Sequence, residues 1–110
     1  MNAAVNEDPR AADIARMHES ITAMVPRLEE RAPRTRADRR VPDESFAELR
    51  EAGFFRLFQP VRYGGLEADP REFFRAQARL AEGCMSSAWA GGIVSVHAFQ
   101  LALFDDRAQR

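Results

Sequence analysis

Within SSAWAGGIVSVHAFQLALF, residues 86–104, Trp89, Ile93 and His97 recur at a spacing of four. At about 100° per residue, positions i, i+4 and i+8 share one face of a helix, so an indole, a branched alkyl group and an imidazole stand in one row. Histidine changes charge in the range of about pH 5 to 8 and can take a proton from a weakly acidic hydroxyl near neutrality. The same types also suit a plain helix core, with the histidine hydrogen-bonded and the tryptophan as packing. Gly91 and Gly92 interrupt the row. Two glycines inside a helix cost about 1 kcal/mol each relative to alanine, a loss offset where a partner helix or a flat ligand comes close to the backbone.

Other chemistries find less support. No Ser, His and Asp stand at a spacing known for nucleophilic catalysis, and Gly64-Gly65 and Gly91-Gly92 fit neither a phosphate-binding loop nor a dinucleotide fingerprint. Cys84 is the single cysteine, which excludes an intrachain disulfide and reads as an inert buried thiol. A zinc site would need His18, His97 and carboxylates, and no metal is expected. A net charge of −1 provides no field for nucleic acid or an anionic membrane. The N-terminus lacks the basic and apolar regions of a signal peptide, so the expectation is a cytoplasmic protein.

The elements that must position this row are helical. Asp8-Pro9 reads as an N-cap with proline at the first helical position, and residues 1–8 are expected to be disordered. Ile14, Met17, Ile21, Met24 and Leu28 follow at helical spacing, with a kink or restart expected near Pro26. The stretch RAPRTRADRRVP, with five arginines before Val41, reads as a solvated loop. A short helix capped by Asp43 or Ser45 ends at Gly53. FFRLFQP reads as a short extended segment with its rings under neighbouring helices, and RYGG as a hairpin-like turn. Asp69-Pro70-Arg71-Glu72 is a capping-box start for a helix to about Glu82 that buries Phe73, Phe74, Leu80 and Ala81. Ser86 or Ser87 caps the next helix, which reaches about Phe104, and Asp105 or Asp106 begins a fifth. The run Ala88–Phe104 is shorter than the ~20 residues a bilayer needs and is interrupted by Ser95, His97 and Gln100, so it is read as a buried helix. Being apolar on nearly all sides, it needs cover on nearly all sides, more than three short helices supply.

At 110 residues with 45% hydrophobic and 30% charged residues, the chain is one all-α domain with one modest core. PDESFAELREAGFFRLFQPVRYGGLEADPREFF, then CMSSAW, then GIVSVHAFQLALFDDRAQ, in that order, resembles the N-terminal helical domain of the two-component, reduced-flavin-dependent aromatic monooxygenases that share the acyl-CoA dehydrogenase fold. The likeness spans about residues 10 to 110. It is most similar to the oxygenase components acting on phenols such as hydroxyphenylacetate and steroid-derived phenols. Tyr63, Phe99 and the run Met85-Ser86-Ser87-Ala88 depart from the commoner residues of that family, which bears on the substrate.

The resemblance implies a three-part enzyme, of which this chain is the helical bundle ending before a central β-domain and a C-terminal four-helix bundle that makes a homotetramer. It implies a flavin reductase partner supplying FMNH2 or FADH2, and oxygen as co-substrate. Oxygen adds at the flavin C4a position, and the distal oxygen of that hydroperoxide attacks the phenolic ring. By the same resemblance His97 is catalytic and touches the substrate hydroxyl, Trp89 lies by the isoalloxazine, and Ile93 and Phe99 are apolar walls against the substrate that exclude water. The glycines would let the backbone approach the flat ring. Alternatives on the same fold are an acyl-CoA dehydrogenase or an amino-sugar N-oxygenase, and outside it a non-catalytic helical module that binds a partner. The chain alone is expected to bind flavin weakly or not at all and to expose an apolar face of the fourth helix.

Overall fold

The computed structural model describes residues 8–110. The expectation of disorder over residues 1–8 therefore falls outside the described residues, except at Asp8. There a carboxylate oxygen accepts from the Arg10 N–H at 2.9 Å and caps the first helix.

Helix α1 runs unbroken from Pro9 to Asp38, through Pro26 and Pro33. This corrects the restart near Pro26 and, as far as Asp38, the solvated loop at RAPRTRADRRVP, of which only residues 39–42 are turn and loop. Each proline removes one N–H and frees the carbonyl four residues earlier, Thr22 and Glu29. Both prolines and both of those residues are exposed, so water can satisfy what the helix loses. Arg27, just ahead of this stretch, and Arg31 and Arg34 within it have partners on the next helix, α2 (Asp43–Ala52). Arg27 Nε is 2.5 Å from Glu48, Arg31 reaches the other oxygen of the same carboxylate, and Arg34 pairs with Glu44 at 2.6 Å. Thr35 is buried beneath them and donates to the Arg31 carbonyl at 3.1 Å. At about 1.5 Å per residue, 30 residues make a ~45 Å rod, which accounts for the 49 Å long axis of the domain.

Neither expected cap of α2 forms. Pro42 occupies the N-cap position without a side-chain bond, and Ser45 is buried, its hydroxyl accepting from Arg31 Nη1 at 3.2 Å. Gly53 ends α2 at φ 91°, as its position after Ala52 implies. FFRLF is not extended. Phe54–Arg56 is a 3-10 turn, which sends Phe54, Leu57 and Phe58 to the inside. An alternating strand would have put Leu57 and Phe58 on opposite sides with only one layer to cover them. A second 3-10 turn, Val61–Tyr63, leads to Gly64 at φ 86°. The chain then returns, with Leu66 N–H on the Arg56 carbonyl and Ala68 N–H on the Leu57 carbonyl, both at 2.9 Å.

Helix α3 (Pro70–Gly83) is capped by Asp69, whose carboxylate accepts from the Arg71 N–H at 2.9 Å. The adjacent guanidinium and this N–H hold that carboxyl down at about 2. Glu72 does not close a capping box. Its carboxylate crosses to α1 and meets His18 Nε2 at 2.8 Å. Phe73, Ala76, Leu80 and Gly83 form the buried stripe of α3 against Met17, Ile21, Met24 and Leu28 of α1. Phe74, expected in the core, is exposed because it lies one residue off that stripe. At Gly83 the helices meet backbone to backbone, since an added Cβ would stand 2.6 Å from the Val25 carbonyl oxygen.

Buried, extended Cys84 is the whole connection to α4 (Met85–Leu101). The start of α4 has no side-chain cap: Ser86 is exposed, and Ser87 is buried without capping Cys84. Asp105 then caps α5 (Asp106–Gln109) through the Arg107 N–H at 2.9 Å. The described residues are all helix, turn and loop, so the all-α expectation holds, and no helix among them is long and apolar enough to cross a membrane.

Candidate functional site: the outward face of the fourth helix

The buried residues of α4 are Ser87, Ala88, Gly91, Gly92 and Ser95. The spacing of four from Ser87 through Gly91 to Ser95 makes one stripe, and every member is small. Small side chains let the backbone of α4 lie directly on the domain. A Cβ on Gly91 would come within 2.8 Å of Leu49 Cδ1, and one on Gly92 within 2.5 Å of Gln77 Nε2. Two polar bonds set the seat. Ser95 donates to the Phe54 carbonyl at 3.0 Å in full burial, and Gln77 of α3 donates to the Ala88 carbonyl at 2.7 Å. The two glycines therefore serve helix packing within the chain. Of the two expected reasons for the pair, the close approach of other parts of the same chain is the one seen.

The inverse holds on the opposite face. Trp89 is 68% exposed and Ile93 44% exposed. His97 is exposed beside them, as are Val94, Val96 and Leu101. The helix is thus turned inside out, with its small residues within and its large apolar ones outside. The domain is a slab only 19 Å thick, and its radius of gyration of 15.1 Å exceeds the roughly 13 Å of a compact globule of this length. Such a slab has no second layer to lay over α4.

His97 is oriented by its own helix. Its Nδ1 lies 2.6 Å from the Ile93 carbonyl oxygen. A carbonyl can only accept, so Nδ1 carries a proton and donates, and in the neutral ring the lone pair is then on Nε2. Phe99 is anchored at one edge, T-shaped on Phe58 with centroids 5.1 Å apart. The structure brings Trp89, Ile93 and His97 to one face, while Phe99, two residues and about 200° on from His97, projects from the other side of the helix toward Phe58. It encloses none of them: a cleft of about 520 Å³ near the end of α4, lined among others by Tyr63, Ala98, Leu101 and Gln109, includes none of the four. No group of three metal-ligating side chains gathers among the described residues.

Ser87, Ser95 and Gln77 were missed by sequence reasoning. The small-residue spacing of Ser87, Gly91 and Ser95 was the available signal for the first two, whereas Gln77 has none.

The family description "Acyl-CoA dehydrogenase, N-terminal domain" matches residues 12–110. The chain is 46% identical over 89 residues to the flavin-dependent monooxygenase oxygenase subunit HsaA of Rhodococcus jostii, which covers 81% of this chain and 23% of that protein. It is 38% identical over 93 residues to the p-hydroxyphenylacetate 3-hydroxylase oxygenase component of Acinetobacter baumannii, 84% of this chain and 22% of that one. Among solved structures, the 3-HSA hydroxylase from Rhodococcus sp. RHA1 superposes with a TM-score of 0.83 at 44% identity, over 86% of this chain and 24% of that chain. The chain thus spans about a quarter of the length of the relatives it matches.

Proposed function

Since the chain belongs to the acyl-CoA dehydrogenase N-terminal domain family, we propose that it is the N-terminal part of the oxygenase component of a two-component flavin-dependent monooxygenase that hydroxylates a phenolic ring. The observation that carries this reading is the inverted fourth helix. An indole, an aliphatic side chain and an imidazole with a free Nε2 are held outward by a stripe of small residues, on a face this domain does not cover.

That surface fits a flavin and a phenol. An aromatic tricycle has apolar faces that suit Trp89 and Ile93, and a phenol has one ionisable hydroxyl that suits His97 Nε2. Bound reduced flavin would supply activated oxygen derived from O2. The chain's own residues do the rest. His97, holding its Nδ1 proton on the Ile93 carbonyl, accepts the phenol proton at Nε2 and raises the electron density of the ring. Ile93, on the same face as His97, excludes water from the reacting atoms. Trp89 orients the flavin ring. A reductase supplies FMNH2 or FADH2, the rest of the oxygenase covers α4, and the assembled enzyme is a cytoplasmic homotetramer. The names of the relatives, which include a resorcinol hydroxylase oxygenase component from Rhizobium, favour this over the dehydrogenase and interaction-module alternatives.

The test uses the full-length oxygenase with its reductase. His97→Asn should keep flavin binding and cut hydroxylation about 10²- to 10⁴-fold, with the consumed oxygen released as hydrogen peroxide. Unchanged product per oxygen consumed would remove His97 from the mechanism. The 110-residue chain alone should bind reduced FMN weakly, and tight binding would contradict the need for further cover.

A further inference from the structure

The inner side of α4 is a stripe without ridges. Ser87, Ala88, Gly91, Gly92 and Ser95 are all small, whereas packed helices fix their angle and register by seating side-chain ridges in facing grooves. Dispersion across such a stripe is non-directional and resists separation more than rotation. Rotation matters on the outer side. At the outer radius of a helix, about 5–6 Å, a turn of only about 10° carries an atom through roughly 1 Å, and a misplacement of that size costs catalysis about 10²-fold. A directional contact is needed to hold Trp89, Ile93 and His97 at one azimuth.

Two side-chain hydrogen bonds reach α4 from other elements. Ser95 donates to the Phe54 carbonyl at 3.0 Å, and Gln77 Nε2, from α3, donates to the Ala88 carbonyl at 2.7 Å. Ala88 and Ser95 are seven positions apart, so the two anchors lie two turns apart on one side of the helix. Gln77 is the anchor that stability does not explain. Its Oε1 is buried and accepts no hydrogen bond among the described residues. Its amide lies flat on Gly92, where a Cβ would meet Nε2, Oε1 and Cδ at 2.5, 2.8 and 2.9 Å. The glycine lowers the folding equilibrium about fivefold and the unpartnered oxygen at least about fivefold more, while the bond returns about tenfold at most. An apolar side chain of equal length would fill the same space without the orphaned oxygen. We infer that Gln77 is a positioning residue: its amide holds α4 at the rotation that aims Trp89 and His97, at the expense of stability. Ala88, which it grips, directly precedes Trp89. This rests on the reading of the α4 face proposed above.

The test uses the full-length oxygenase with its reductase and the variant Gln77→Met, since methionine has the unbranched shape and helix propensity of glutamine without the amide. Gln77→Met should melt no lower than the parent, yet hydroxylate about tenfold or more slowly, with the missing oxygen recovered as hydrogen peroxide. Product per oxygen consumed is a ratio over folded enzyme, so a loss of folded protein alone does not move it. Gln77→Glu, which at pH 8 keeps the shape but loses the donor, should uncouple as well and melt lower. Coupling equal to the parent's in Gln77→Met overturns the inference. So does a fall of coupling and melting temperature together in that variant, which would make the amide a plain support of the fold. His97→Asn, run in parallel, separates the two readings. If His97→Asn is uncoupled and Gln77→Met is not, the reading of the face stands and the role of Gln77 falls. If His97→Asn stays coupled, the reading of the face falls, and the anchor is judged on the 110-residue chain by the fluorine NMR signal of 5-fluorotryptophan at Trp89, its only tryptophan. A displaced or broadened signal in Gln77→Met supports the anchor, and a signal identical to the parent's overturns it.

Discussion

Replacing Gly91 by alanine sets two effects of similar size against each other. Were the glycine kept for a ligand outside the chain, alanine would strengthen the helix by about 1 kcal/mol, and the isolated domain would become more stable. The packing says otherwise. A Cβ at position 91 would stand 2.8 Å from Leu49 Cδ1, against an ordinary carbon–carbon contact of about 3.5–4.0 Å, while its 3.6 Å distance to Phe54 Cε2 is comfortable. Leu49 is buried in the core and has nowhere to retreat, so either it leaves its rotamer or α4 lifts by roughly 1 Å. Overpacking of this kind costs about 1–3 kcal/mol. Subtracting the propensity gain leaves a net destabilisation of about 1 kcal/mol, or a melting temperature lower by about 4–8 °C in a domain of this size. Gly83→Ala provides the scale. Its Cβ would meet the Val25 backbone oxygen at 2.6 Å, and a main-chain atom cannot swing away, so its loss should be the larger of the two. Urea and thermal unfolding followed by far-ultraviolet circular dichroism measure both. A Gly91→Ala variant that melts higher than the parent would refute the inward seating of α4.

Three further outcomes follow from the same contacts. Pro26→Ala should stabilise the domain by about 2 kcal/mol, because the helix already continues through an exposed proline and regains a hydrogen bond; no gain in the urea midpoint would mean that α1 breaks there. Ser95→Ala should cost about 1 kcal/mol by removing the buried bond to the Phe54 carbonyl, seen as a lower midpoint with an unchanged slope. Partial burial by itself pushes the Glu48 carboxyl up, but the hydrogen bonds from Arg31 and Arg27 outweigh it and hold the group below the usual carboxylate range. Its contribution, up to about 1 kcal/mol, is therefore complete above the unfolded value of about 4.3 and is lost as pH falls through the lowered folded value. The stability gap between the parent and Glu48→Gln should narrow over that acidic window, and a gap that widens on acidification would contradict the ion pair.

Local patterns determined much of the architecture. The spacing of Met17, Ile21, Met24 and Leu28, the Asp8 and Asp69 caps and the turns at Gly53 and Gly64 are decided by residues within a few positions of one another. The row of Trp89, Ile93 and His97 was legible for the same reason, since helical periodicity alone places them together. What lay beyond the sequence depended on partners distant along the chain. The arginine-rich stretch around Pro33 lies in the helix with Arg31 paired to Glu48 and Arg34 to Glu44 of α2, partners distant along the chain. FFRLF coils into a 3-10 turn because a single layer covers it, and Phe74 falls outside because Phe73 and Leu80 set the contact with α1.

The side of the fourth helix that faces inward was also a tertiary decision. Composition could only say that α4 is apolar nearly all round. Backbone proximity to Leu49, Phe54 and Gln77 selected the small residues for the inside, since a larger side chain there would hold the layers apart, and that selection turned the indole and the imidazole outward.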